Sequence, residues 1–221
     1  MAEKCLKIYF AGDLFDHKDL AGNMLFAAAV EKYSDHRYQI MLPQNGECEV
    51  FERTSQSIRD ADFQLLFDCD LIVANFDGPD LDSGTVVEFC FAKMIDMPAI
   101  LLRTDFRDSG DNTLPDGEPW NLMCSHYPRT RVLSINAMEL FHQYRNSDVS
   151  VFLENYYAAL AKQLINELDK VIKVPSWLKR DDLLNQFQAV LNAVGGSVAE
   201  RFPEAERTQL IERKISTGLY D

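Results

Sequence analysis

Two hydrophobic rhythms alternate along the first 135 or so residues. Short runs that are apolar at nearly every position occur at Leu6–Ala11, Tyr38–Leu42, Leu71–Phe76, Ala99–Arg103 and Arg131–Ile135. Runs such as LIVANF and AILLR, apolar on both faces, predict central parallel strands covered by helices. Between them, Leu20–Lys32, Ser55–Phe67 and Thr85–Ile95 carry apolar residues at helical spacing. The alternation predicts an α/β fold with a doubly wound, mainly parallel five-stranded sheet flanked by helices. Thr104–Pro119, rich in Asp, Gly and Pro, predicts a long surface loop. The rhythm then changes. Asp148–Val174, Asp181–Val194 and Pro203–Ser216 read as three helices, the first stopped by Pro175 and the second broken at Gly195-Gly196. The predicted organisation is an α/β domain over residues 1–145 and an all-helical extension over 146–221.

Composition narrows the partners. The 221 residues hold 22 Lys and Arg against 35 Asp and Glu, a net charge of −13. Such a field repels a phosphate backbone, so no nucleic acid polymer is expected as a partner. Five cysteines, an odd number without a CxxC pair, argue against a disulfide frame and for a reducing cytoplasm. The start MAEKCLKIYFAGD lacks the apolar core of a signal peptide, and no stretch reaches the roughly 18 apolar residues of a membrane span. A soluble cytoplasmic protein with no membrane contact is the expectation.

Ligands of open α/β sheets sit beyond the carboxyl ends of the strands. There the turn Asp77–Glu88 gathers three aspartates and a glutamate within twelve residues. Thr85-Val86-Val87-Glu88 also fits a helix capping box, with Thr85 as N-cap. A calcium loop starting at Asp77 fails, because its sixth position is Asp82 rather than glycine and Pro79 takes a ligand position. GxxxxGK[ST], GxGxxG and GxSxG are absent, the four histidines are scattered, and no motif implies a metal or organic cofactor. Two carboxylates near one strand end can divide the labour of glycosidic chemistry, one attacking an anomeric carbon and one protonating the leaving group. Tyr9 offers a phenol to hold such a nucleophile, and Asp62, on the second helix, reaches the same crevice if that helix lies alongside.

These residues together resemble the nucleoside 2-deoxyribosyltransferase family. The resemblance runs over roughly residues 6–125. It rests on Ile8-Tyr9-Phe10-Ala11-Gly12, on Asp62 eight residues before Asp70, on Asp82-Ser83-Gly84-Thr85-Val86-Val87-Glu88 with Ala92 four residues on, and on Asn121-Leu122-Met123. It implies transfer of a 2-deoxyribosyl group between a 2′-deoxynucleoside and a free purine or pyrimidine base, as in nucleotide salvage, without a cofactor. Glu88 is then the nucleophile, Tyr9 the phenol orienting it, and Asp82 the acid facing the nucleobase. Asp62 lies near the sugar hydroxyls and Gly12 belongs to the substrate-binding turn. Asn121 completes a neighbouring subunit's site, which implies a homo-oligomer. Cys90 stands where members often have Gly, and Asp13 follows Gly12 where Pro or an aromatic is commoner.

Two other functions compete with base exchange. One is hydrolysis of the same N-glycosidic bond in 2′-deoxynucleosides or their 5′-monophosphates, although Asp82 repels phosphate where related hydrolases place serine. The other is a non-catalytic nucleotide-sensing module with the helical extension as its output. Many family members end near residue 150 with a terminal tyrosine whose carboxylate joins the site, and whether Tyr220 or Asp221 takes that part is left open by the sequence.

Overall fold

The computed structural model describes residues 5–46, 54–107 and 117–220. Five strands, β1 (Leu6–Ala11), β2 (Tyr38–Met41), β3 (Leu71–Asn75), β4 (Ala99–Arg103) and β5 (Thr130–Ser134), form one sheet in the order β2-β1-β3-β4-β5. Every pairing is parallel, so the mainly parallel sheet predicted from the sequence is parallel throughout. Its chain reversal falls between β1 and β3, where Ala11 lies opposite Ala74 and the crevice of such sheets opens.

The connecting helices are α1 (His17–Tyr33), the short α2 (Pro43–Gly46), α3 (Ser55–Asp68) and α4 (Ser83–Met94). Each long helix starts on a side-chain cap. Asp16 Oδ1 accepts from Lys18 N at 2.7 Å, and Thr54 and Ser57 cap each other reciprocally at the head of α3. Side chains alternate across the sheet, so Phe10 meets Phe26 of α1 on one face. Tyr9 meets Glu88 of α4 on the other.

After β5 come α5 (Ala137–Tyr144), α6 (Val149–Val171), α7 (Arg180–Val194) and α8 (Glu204–Ser216). The α6 helix ends at Val171, ahead of Pro175, and lies against α1, β4 and β5. Phe187 of α7 and Phe202 pack edge-on against Phe67 of α3, so these helices share one hydrophobic core with the sheet. Ions fasten α8 and the following tail to the amino ends of the strands. Arg213 Nη1 bonds Asp70 Oδ1 at 3.0 Å, just before β3, and the buried Lys214 ammonium donates to the Cys69 carbonyl. Arg129, just before β5, bonds Asp96 Oδ2 at 3.0 Å and the Leu219 carbonyl at 2.8 Å. Among the described residues no helix is long and apolar enough to cross a membrane.

Candidate active site

Tyr9 is fully buried in the middle of β1, and its hydroxyl donates to Glu88 Oε1 at 2.6 Å. Burial, the adjacent Glu88 charge and Asp62 push the Tyr9 phenol well above its usual range, so it stays a proton donor. Burial also raises the Glu88 carboxyl to about 8; the Tyr9 hydrogen bond pulls it down, while the charges of Asp62 and Asp82 push it up. Asp62, on α3, therefore stands within electrostatic reach of both members of the pair. Its neighbour Asp60 serves the fold: fully buried, it accepts from Ser197 N at 2.7 Å and from Ser197 Oγ at 2.8 Å.

The capping box expected at Thr85–Glu88 does not form. Helix α4 begins two residues earlier, with Asp82 as its N-cap. Asp82 Oδ2 accepts from Thr85 N at 2.7 Å and from Thr85 Oγ1 at 2.9 Å, so Thr85 occupies the third helical position and is buried. Aspartate is among the strongest N-caps, and Gly84 lets its carboxylate fold over the first turn, where a Cβ would lie 3.0 Å from Oδ2. Glu88 thus sits in the second turn, beyond reach of the cap, and is left for Tyr9. The competition between capping and chemistry expected from the sequence is absent.

Asp77, another acid of the same turn, is spent on structure. Its carboxylate accepts from Thr104 Oγ1 at 2.6 Å and Asp105 N at 2.7 Å, tying the exit of β3 to that of β4. Buried Arg103 reinforces the tie through the carbonyls of Phe76 and Gly78. Asp13, after β1, is raised by burial and then by the charges of Asp82, Asp19, Asp77 and Asp16. The crevice mouth is accordingly acidic. Gly12 lets β1 and β3 close together at their ends, since a Cβ there would fall 3.0 Å from Asn75 Cβ.

Residues 8–123, just over half of the chain, match the family model described as Nucleoside 2-deoxyribosyltransferase. The chain belongs to this family. Among solved structures, a conserved protein from Enterococcus faecalis V583 is similar at 28% identity over 59% of this chain and 92% of its own, with a TM-score of 0.49. A 2-deoxyribosyltransferase from the psychrotolerant Bacillus psychrosaccharolyticus is similar at 17% identity over 66% of this chain and 95% of its own, with a TM-score of 0.44. Among curated proteins none matches.

Within one copy of this deoxyribosyltransferase-family chain, Asn121 stands apart from the Tyr9–Glu88 pair. Its Oδ1 caps a 3-10 turn, Leu122–Cys124, by accepting from Met123 N at 3.0 Å. It lines a cavity of about 690 Å³ with Gly78, Ser83, Val86, Val87 and Trp120; Glu88, Tyr9 and Asp62 are not among its walls. Tyr220 is also remote from the crevice. Its hydroxyl donates to the Ile95 carbonyl at 3.1 Å, past the far end of α4, and Arg129 stacks on its ring. Asp221 lies outside the described residues. Sequence reasoning passed over Asn75, the polar residue within the run Leu71–Phe76 and the last residue of β3.

Proposed function

We propose that this chain transfers the 2-deoxyribosyl group between nucleobases by double displacement. The observation that carries the reading is the hydrogen bond from the buried Tyr9 to the half-buried Glu88 at the carboxyl end of a parallel sheet, with Asp62 in electrostatic reach. Tyr9 occupies Oε1 and leaves Oε2 of Glu88 as the attacking atom. As the Glu88 Oε2–C1′ bond forms, the N-glycosidic bond breaks and its electron pair goes to the base nitrogen, which takes a proton from Asp82. A second base then attacks C1′ from the original face, gives its N–H proton back to Asp82 and releases the Glu88 carboxylate, with net retention, as in retaining glycosidases. No 2′-hydroxyl opposes the oxocarbenium-like transition state of a 2′-deoxy sugar. Asp62 holds the sugar hydroxyls, and Gly12 leaves the room for the sugar to approach the strand ends.

The same reading makes the protein a homo-oligomer in which Asn121 completes a neighbouring site. In support, Asn121 is exposed beside Leu122 and Met123, which are 57% and 71% exposed. The acidic mouth around Asp13 and Asp82 favours unphosphorylated nucleosides over 5′-monophosphates and over nucleic acid.

Chromatography of 2′-deoxyinosine incubated with the protein, with and without adenine, tests the reading. Appearance of 2′-deoxyadenosine with the intact protein, and its loss by at least about 10³-fold in Glu88→Ala, is the expected result. Hypoxanthine released without new nucleoside indicates hydrolysis instead. Silence toward purine and pyrimidine donors and toward the monophosphates leaves a sensing module.

A further inference from the structure

Asn75 ends β3 at the point where the crevice opens, flanked by Leu102 of β4 in register and by Gly12 of β1. Its Oδ1 is buried and has no hydrogen-bond partner, and among the described residues nothing bonds its Nδ2 either. A buried carboxamide oxygen without a partner, on a side chain that is only half-buried as a whole, is uncommon in a folded protein and asks what it is meant to meet. Several other donors around the β1 and β3 exits are committed. Asn23 Nδ2 donates to the Asp13 carbonyl at 3.1 Å, and Gln44 Nε2 to the Leu20 carbonyl at 3.0 Å. Thr85 Oγ1 donates to Asp82, and Tyr9 to Glu88. The acids at the mouth, Asp13 and Asp82, only accept when ionised, and Ser83 at the head of α4 is exposed.

Position decides which part of a substrate Asn75 would meet. Tyr9 pairs in register with Ile72, and both face α3 and α4; Asn75, three residues beyond Ile72, falls on the opposite face with Phe10 and Val73. A sugar with C1′ above Glu88 on one side of the strand ends must carry its base across them, toward Asn75.

Resting on the deoxyribosyl transfer argued above, we propose that Asn75 is a specificity-determining residue that reads the exocyclic oxo or amino group of the nucleobase. The carboxamide presents Nδ2–H to an oxo group and, turned over, Oδ1 to an amino group, so one side chain serves both kinds of base. A carboxylate at the same position accepts only.

The test compares oxo and amino partners of each base class: 2′-deoxyinosine against 2′-deoxyadenosine, and 2′-deoxyuridine against 2′-deoxycytidine. Asn75→Asp is expected to lower kcat/KM for the oxo donor about 10- to 100-fold more than for its amino partner. Asn75→Ala is expected to lower both members of a pair alike. A merely structural role for Asn75 moves all donors together, and an unchanged oxo-to-amino ratio in Asn75→Asp overturns the proposal. Should that variant not fold, acceptors offered to the wild-type protein decide. Purine, which lacks a 6-substituent, is expected to be about tenfold poorer than hypoxanthine and adenine, and equal use overturns the assignment. A wild-type protein that turns over no nucleoside overturns the transferase reading and Asn75's role with it, whereas turnover with an unmoved ratio overturns only the latter.

Discussion

The role proposed for Glu88 needs ionisation, and its surroundings resist it. Its carboxyl is held at about 8 chiefly by burial, so at neutral pH most free protein carries a protonated Glu88. The acid limb of kcat/KM is expected near pH 8, with activity rising about tenfold per pH unit below it, as a pH–rate profile on 2′-deoxyinosine will read. Tyr9→Phe removes the hydrogen bond that favours the anion. That limb should move upward and kcat fall about 10- to 100-fold. The same shift bears on stability. The folded chain keeps a proton that the unfolded chain releases near the ordinary value of 4.5, so stability declines as pH rises from 4.5 to about 8. Glu88→Gln is therefore expected to stabilise the fold by a few kcal/mol at pH 9 and to change little at pH 4, measured by urea unfolding. At this scale the spacing of Tyr9, Asp82 and Glu88 was legible. The cap was not, because Thr85–Glu88 and Asp82–Thr85 are overlapping frames of the same spacing and only the path of the backbone chooses between them.

Helix α4 carries Glu88, the proposed nucleophile, and its first turn is organised by its N-cap Asp82, the acid proposed to protonate the leaving base. Asp82→Asn separates the two duties. Asparagine caps about as well as aspartate, so thermal stability should shift by no more than about 0.5 kcal/mol, while turnover falls because the amide has no proton to give. The elements themselves were read with uneven success, for physical reasons. β1 and β4 match the predicted Leu6–Ala11 and Ala99–Arg103 to the residue, being apolar runs whose ends are marked by polarity. The predicted start of α4 at Thr85 came late because Ser83 and Gly84 look like turn residues. The eight-residue α5 and the four-residue α2 were missed, being shorter than the window of about 11–18 residues over which helical periodicity is read. Thr104–Pro119 was expected as a loop; its ends carry no regular structure, and residues 108–116 fall outside the description.

Across the whole molecule the chemistry and the fastening occupy opposite ends of one sheet. Glu88, Asp82 and Asn75 gather at the carboxyl ends of the strands, while Asp70, Asp96, Arg129 and Lys214 are buried at the amino ends. Gly196 marks how tightly the helical region is seated. It adopts φ of +63°, and a Cβ there would lie 2.6 Å from the buried Asp60 carboxylate that holds Ser197. Gly196→Ala is expected to cost about 2–4 kcal/mol in denaturant unfolding, since the added Cβ meets a buried carboxylate and the backbone is left-handed there. The sequence showed three helices after residue 146 but not what they touch, because an amphipathic stripe states that a face is buried and not against which partner.

The Arg213 and Lys214 contacts span 143 and 145 residues of chain, and Tyr220 reaches back 125 residues to Ile95. Synthesis runs in one direction, so every strand of the sheet leaves the ribosome before Arg213 and Lys214, the cations that α8 brings to its amino edge. A nascent chain halted before Arg213 presents Asp70 without its guanidinium and the Cys69 carbonyl without its ammonium, at the end of a sheet already threaded. The strand ends that α8 covers thus stay chemically open until its two cations arrive.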